Sequence, residues 1–333
     1  MRIVDSCLEE LKPFLQEPLV SPADVEKVST RAASVPEAMQ AFYLECRLSP
    51  PGPQVDFLGS VARRRSEDEA VGATEKRDDP AGQFLQRWRI GAGALRSPAV
   101  WTELDDNPHV GPLSNIHVCV DSAYRGPKAG MPPFDRTGAS LLLRELAEAS
   151  VVSAQQLAVL DDCLGGLPDS ARLIHVSAMT ARSPVETKVY VAIPVEKFRP
   201  WVTLGPGSAW AAQLERLEPW TTPELNGSTL YCDLTFRGAT YQSIGLVFGQ
   251  PQIPETGDDQ GRERVRRKLV QEGLCTLAQD AALAKWVGAP LNPVCSFDTS
   301  LRLRRWLDIK VSMTKARLSS KAYLGFSPHV SLF

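Results

Sequence analysis

Leu307-Asp308-Ile309-Lys310-Val311-Ser312-Met313-Thr314, a turn through Lys315-Ala316-Arg317, and then Ser319-Ser320-Lys321-Ala322-Tyr323-Leu324-Gly325-Phe326 form the stretch that sets the fold. In its first half Asp308, Lys310 and Ser312 alternate with Ile309, Val311 and Met313, the period of two of a half-buried strand. In its second half Lys321 and Tyr323 share one face, while Ala322, Leu324 and Phe326 share the other. Two such strands over a short turn make a hairpin, and each carries a lysine on its polar face. For a single hairpin, a sheet face turned to water explains those lysines as well as a lined cavity does.

The pattern recurs three times upstream. Strands are expected at 100–104 and 114–121 around Asp105-Asp106-Asn107-Pro108, and at 172–180 and 188–193 around Arg182-Ser183-Pro184. A third pair, 229–236 and 241–248, turns through Arg237-Gly238-Ala239. Helical spacing lies between the pairs, at 137–149, 153–163, from Val195, at 208–217, 262–272 and 277–286. Residues 2–47 read as largely helical, with Val4, Leu8, Leu11 and Leu15 on one stripe and Ser21-Pro22 as an N-cap and first helical position. Residues 48–83, from Pro50-Pro51-Gly52-Pro53 through Arg63-Arg64-Arg65 to Glu67-Asp68-Glu69, read as a polar, solvated segment. Phe84–Ile90 fits either a strand or a short helix. The expected organisation is an N-terminal helical region over 1–95 and a barrel over 96–333, together one compact domain.

Helix, strand, strand, helix, repeated about four times, is not the order of a parallel βαβ sheet. Hairpins joined through helices on one side can instead close an antiparallel α/β barrel ringed by helices, apolar faces outward against the helices and polar faces in the lumen. The lumen candidates are then Trp101, Glu103, Asn115 and His117 on the first pair, and His175, Ser177, Lys188 and Tyr190 on the second. The third pair adds Tyr231, Asp233, Thr235, Tyr241 and Ser243, and the last adds Lys310, Ser312, Lys321 and Tyr323. Enclosed ammonium groups need anionic partners. Asp233 and Asp308 could neutralise part of that charge, and a phosphorylated ligand would satisfy three lysines better. Tyrosine hydroxyls add donors to phosphate oxygens, and tyrosine rings can face a carbocation. Glu103 suits a general base or a cation stabiliser. Such a cavity fits ionisation of an allylic diphosphate and capture of the cation by an electron-rich ring, with water kept out.

These residues resemble a family. The repeated order is similar to that of the ABBA, or PT-barrel, aromatic prenyltransferases of the dimethylallyltryptophan synthase type, and the resemblance implies a ten-stranded-type barrel of αββα units. In that family a Lys-x-Tyr on a barrel strand binds diphosphate; Lys188-Val189-Tyr190 and Lys321-Ala322-Tyr323 look like it. A glutamate on the first hairpin holds the acceptor's indole nitrogen, and Glu103 sits in a comparable place. Asn115 and His117 stand where the family usually places an arginine. The resemblance implies diphosphate binding by Lys188, Lys310, Lys321, Tyr190, Tyr231, Tyr241 and Tyr323, with acceptor or lumen contacts from Trp101, His117 and His175. It also implies dimethylallyl diphosphate as donor and no strict need for a metal or other cofactor. A cyclase or isomerase on the same scaffold, or a non-catalytic small-molecule-binding barrel, remains open at this level.

Composition narrows the classes further. Across 333 residues, 43% hydrophobic and 23% charged content belong to a globular protein, and a net charge of −2 argues against nucleic-acid or anionic-membrane partners. No apolar run reaches the roughly 18 residues of a membrane span, and the mixed charges of the first fifteen residues do not make a signal peptide. Seven scattered cysteines without a CxxC, and four histidines without ligand spacing, point to buried thiols in the cytoplasm rather than a disulfide frame or a metal site. Arg262–Lys268 reads as a solvated basic helix face. Leu204-Gly205-Pro206-Gly207 lacks the Lys-Ser/Thr of a phosphate loop.

Overall fold

Among the described residues, alternating apolar and polar side chains form ten strands: β1 Met39–Arg47, β2 Val55–Ala62, β3 Ala99–Leu104, β4 Asn115–Cys119, β5 Arg172–Met179, β6 Glu186–Pro194, β7 Thr229–Arg237, β8 Thr240–Phe248, β9 Leu301–Thr314 and β10 Leu318–Val330. They are seen in a computed structural model that describes residues 3–32, 39–49, 54–62, 80–90, 99–104, 115–119, 143–148, 152–180, 182, 185–204, 211–249, 259–288 and 301–330. Every neighbouring pair is antiparallel. The sheet runs β2 to β10 in chain order and closes through β1, which pairs with β2 on one side and β10 on the other.

Two of these strands lie where helix or solvated loop was expected. Residues 39–47 form β1 rather than the end of a helical region, and residues 55–62 form β2 inside the segment read as a polar excursion. Both are staves of the same sheet as the later hairpins, because β2 pairs directly with β3. A division at residue 95 therefore does not separate the N-terminal region from the barrel. The cause is visible in the residues: Phe42, Leu44 and Cys46 are buried in the core and alternate with Tyr43, Glu45 and Arg47. Of the rest of that excursion, 50–53 and 63–79 lie outside the described residues, and 80–83 open the helix Pro80–Ile90.

Helices occupy the intervals. Ile3–Leu11 buries Val4, Cys7, Leu8 and Leu11, and Pro22–Ala32 begins at Ser21, whose hydroxyl accepts from the Asp24 amide at 3.2 Å. Pro80–Ile90 is a helix, which settles the ambiguous Phe84–Ile90. Ala154–Gly165 starts with a capping box between Ser153 and Gln156. Val195–Leu204, Ala211–Leu217, Pro223–Asn226, Asp259–Gln271 and Leu277–Gly288 follow. The apolar core lies between this outer layer and the outward strand faces: Leu160, Cys163, Phe198, Trp201 and Trp220 join Val189, Val191, Cys232, Leu234 and Phe236. Among the described residues no helix is long and apolar enough to cross a membrane.

Closure rests on an aromatic stack on the outer face of the seam. Phe42 of β1 packs on Phe57 of β2 at 5.9 Å and on Phe326 of β10 at 5.2 Å between ring centroids, all three fully buried. Replacing Phe42 with alanine is expected to cost about 3–5 kcal/mol. A urea-unfolding midpoint within error of the parent's would show that the seam does not depend on this ring.

Candidate active site

With apolar side chains committed to the helix layer, each strand turns its alternate polar residues inward, and the closed sheet brings them together. Lys310 of β9 donates to Asp233 of β7, and Lys321 of β10 donates to Glu45 of β1. Gly245 of β8 makes room for the first pair: a Cβ there would collide with both Asp233 Oδ1 and Lys310 Cε. Burial pushes the Asp233 carboxyl up, but Lys310 and Lys188 outweigh it and hold it below the usual range. Glu45 behaves alike: burial raises it, and Lys321 and Lys188 bring it down. Burial lowers the Lys321 ammonium, yet Glu45 and Glu103 raise it above its ordinary value.

Lys188 differs from both. Among the described residues it has no carboxylate within ion-pair distance. Burial, then the charge of Lys310, lowers it to about 8 against the opposing pull of Glu103 and Asp233. Those charges share one space: Glu103 acts on Glu45 and Lys188, and Lys188 acts on Asp233. At the rim, Arg182 lies 3.7 Å from Glu103 and 2.5 Å from Glu186, and Arg237 meets the other oxygen of Glu186. These cations hold Glu186 below its ordinary pKa despite its burial.

Aromatic rings line the remainder. His175 stacks on Tyr190 at 4.6 Å, and Tyr190 lies 6.3 Å from Tyr231. Across the lumen, Tyr43 contacts Trp101 at 5.0 Å, Trp306 at 5.4 Å and Tyr323 at 6.0 Å, and its hydroxyl donates to Asp308 Oδ2 at 2.9 Å. Burial, then the charges of Glu45, Asp233 and Glu103, push the Tyr323 phenol well above its usual range, so it stays a donor.

Of the residues expected to line the lumen, Trp101, Glu103, His175, Lys188, Tyr190, Tyr231, Lys310, Lys321 and Tyr323 do share this inner space. Tyr241 does not. The β7–β8 ladder shifts register between Thr235 and Phe236, so Tyr241 pairs with Phe236 and packs edge-on against its ring, 5.1 Å away, in the helix-side core. One extra residue in a strand reverses the faces beyond it. The side chains of His117 and Asn115 lie outside the described residues; the His117 backbone pairs with Trp101 and Ser177. Asp308, expected to offset lysine charge, is engaged by Tyr43 instead, whereas Asp233 does hold a lysine. Sequence reasoning missed Tyr43 and Glu45, whose alternation in β1 was the available signal, and Arg182, which had none.

Among the described residues, the arrangement offers an anion one ammonium without a carboxylate partner, two more held by exchangeable carboxylates, and phenolic donors around them. Because the folded pKa of Lys188 lies below its ordinary 10.5, the unfolded chain binds more protons between about pH 8 and 10.5, and stability rises with pH across that window. Lys188→Met should therefore be more stable than the parent at pH 7, on the order of 1–3 kcal/mol, with the gap closing towards pH 10.5. Parallel stability curves for the two proteins from pH 7 to 10.5 would count against an unpaired, desolvated Lys188.

No protein-family model matches the sequence, and no curated protein matches it. Solved structures do. The prenyltransferase PriB bound to its product diphosphate superposes with a TM-score of 0.54 at 13% identity, over 98% of this chain and 96% of that one. Its ternary complex with L-tryptophan and dimethylallyl thiolodiphosphate gives 0.51 at 12% identity, over 98% and 96%. The 5-dimethylallyltryptophan synthase from Streptomyces coelicolor gives 0.51 at 13% identity, over 97% and 95%. At such identities the likeness is one of fold, and the chain has the PT-barrel fold of these aromatic prenyltransferases.

Proposed function

We propose that the protein is an aromatic prenyltransferase, a ten-staved barrel of αββα units that moves a prenyl group from an allylic diphosphate to an electron-rich ring such as an indole or phenol. The observation that carries this is the Lys188 ammonium, without a carboxylate partner among the described residues, set beside Lys310 and inside a shell of tyrosines in a closed lumen. A buried ammonium without a partner costs stability; an incoming diphosphate would relieve that cost. Tyr190, Tyr231 and Tyr323 supply hydroxyl donors, and their rings shield the allyl cation once the carbon–oxygen bond breaks. Glu103, held by Arg182, orients the acceptor beside Trp101. Dimethylallyl diphosphate is the donor we favour, since the structural neighbours include complexes with diphosphate and with a dimethylallyl donor analogue. The reading requires no metal for the chemistry, takes small molecules as its only partners, and places the protein in the cytoplasm.

One observation favours a second reading. Lys310 and Lys321 already hold carboxylates, which suits a less anionic ligand for a cyclase, an isomerase or a plain binding barrel. Ligand binding to the native state raises the melting temperature by mass action, and this separates the two. Dimethylallyl diphosphate should raise it without magnesium, and more than inorganic pyrophosphate does. Lys188→Ala should weaken that binding about 10- to 100-fold, the worth of one charge-assisted hydrogen bond. No shift from dimethylallyl, geranyl or farnesyl diphosphate in a folded sample would discard the prenyltransferase reading in favour of the second.

A further inference from the structure

The inner-face carboxyls are not equivalent. Glu45 is held by Lys321, Asp233 by Lys310, Glu103 by Arg182, Glu186 by Arg182 and Arg237, and Asp56 by Arg47 at 3.8 Å. Asp308 has no such cation among the described residues. It is 93% buried by its 7% exposure; Oδ2 accepts from Tyr43, and Oδ1 has no hydrogen-bond partner. Two residues away on the same strand face, Trp306 Nε1 is also buried and unpartnered. Gly325 lets that indole lie across β10, because a Cβ at 325 would strike it. An unsatisfied buried acceptor costs stability, and this one belongs to a strand whose inner face carries Trp306 and meets the Tyr43 and Tyr323 rings.

We infer that Asp308 is the base that takes the proton from the acceptor ring after alkylation, while Glu103, its charge compensated by Arg182, holds the acceptor in place. The inference rests on the prenyl-transfer reading above. The carbon–oxygen bond of the allylic diphosphate breaks and its electron pair leaves with the diphosphate. A π pair of the acceptor forms the new carbon–carbon bond, which puts positive charge on the ring. The C–H bond at that carbon then breaks, its pair restores aromaticity, and the proton goes to the Asp308 carboxylate. Water takes that proton on product release. Burial pushes the Asp308 carboxyl up to about 7, against the hydroxyl of Tyr43 and the more distant charge of Arg262. A base that titrates near the working pH is suited to this exchange. The other groups on that face are Tyr323 across the ladder on β10 and Lys310 along its own strand, whose ammonium is turned to Asp233.

The test uses the full chain and Asp308→Asn, with dimethylallyl diphosphate and indole, L-tryptophan or a phenol as acceptor. The variant should fold: the raised pKa means the parent loses stability as pH rises through about 7, so at pH 8 the asparagine protein should melt no lower than the parent. Its kcat should fall by about 100-fold or more with KM for both substrates little changed. Deuterium at the alkylated ring position should slow the variant and not the parent. The parent's kcat should rise with pH to a plateau above about 7, and that limb should vanish in the variant. A variant that turns over at the parent's rate overturns the inference alone. So does a slow variant with no isotope effect and an unchanged pH limb, which marks a structural role. A parent that prenylates none of these acceptors removes the function and the inference together.

Discussion

Barrel closure is the constraint on which the rest depends. An open sheet would leave the edges of β2 and β10 unpaired and their inward polar residues in water. With β1 hydrogen-bonded to both, the inner face becomes a lumen, and its charges must be matched by one another or by a ligand. The same strand then does two jobs. Its outward face supplies Phe42, Leu44 and Cys46 to the core, and its inward face supplies Tyr43 and Glu45 to the site.

That enclosure explains why the lumen is organised as pairs. Lys310 with Asp233 and Lys321 with Glu45 join β9 to β7 and β10 to β1, so each ion pair spans strands far apart in sequence. Such pairs rarely add much net stability once desolvation is counted, but removing one partner leaves a costly buried charge. The lumen therefore tolerates single changes in its charged residues poorly. Among the described residues, the ammonium of Lys188 and the carboxyl of Asp308 stand outside this neutralised set. Each is pushed by burial towards its neutral form.

Much of this was legible in the sequence. The hairpins from β3 onward, the helices between them and most inward residues follow from a period of two in the strands and helical spacing elsewhere. What escaped had local causes. Met39–Arg47 follows a helical region and carries Glu45 and Arg47, so its alternation was overridden by the reading of its neighbours. Tyr241 was placed on the wrong face because a register shift is a property of two strands, and one strand's sequence does not show it. Asp308 was read, with Asp233, as a group that could neutralise lysine charge, and alternation along β9 does not say which lysine or hydroxyl reaches it. Across the barrel Lys310 reaches Asp233, and Tyr43 reaches Asp308.

The sequence by itself determined which residues alternate, and so which side chains face the helices and which face the lumen on every regular strand. It also set the residue types available there: lysine, tyrosine, tryptophan and carboxylate. Only the tertiary structure decided how those groups combine. Closure through β1, the bulge before Tyr241 and the diagonal reach of Tyr43 to Asp308 fix which charges cancel and which stay unpaired. Pairing of buried charges depends on distances between strands remote in the chain, and no local periodicity encodes those distances.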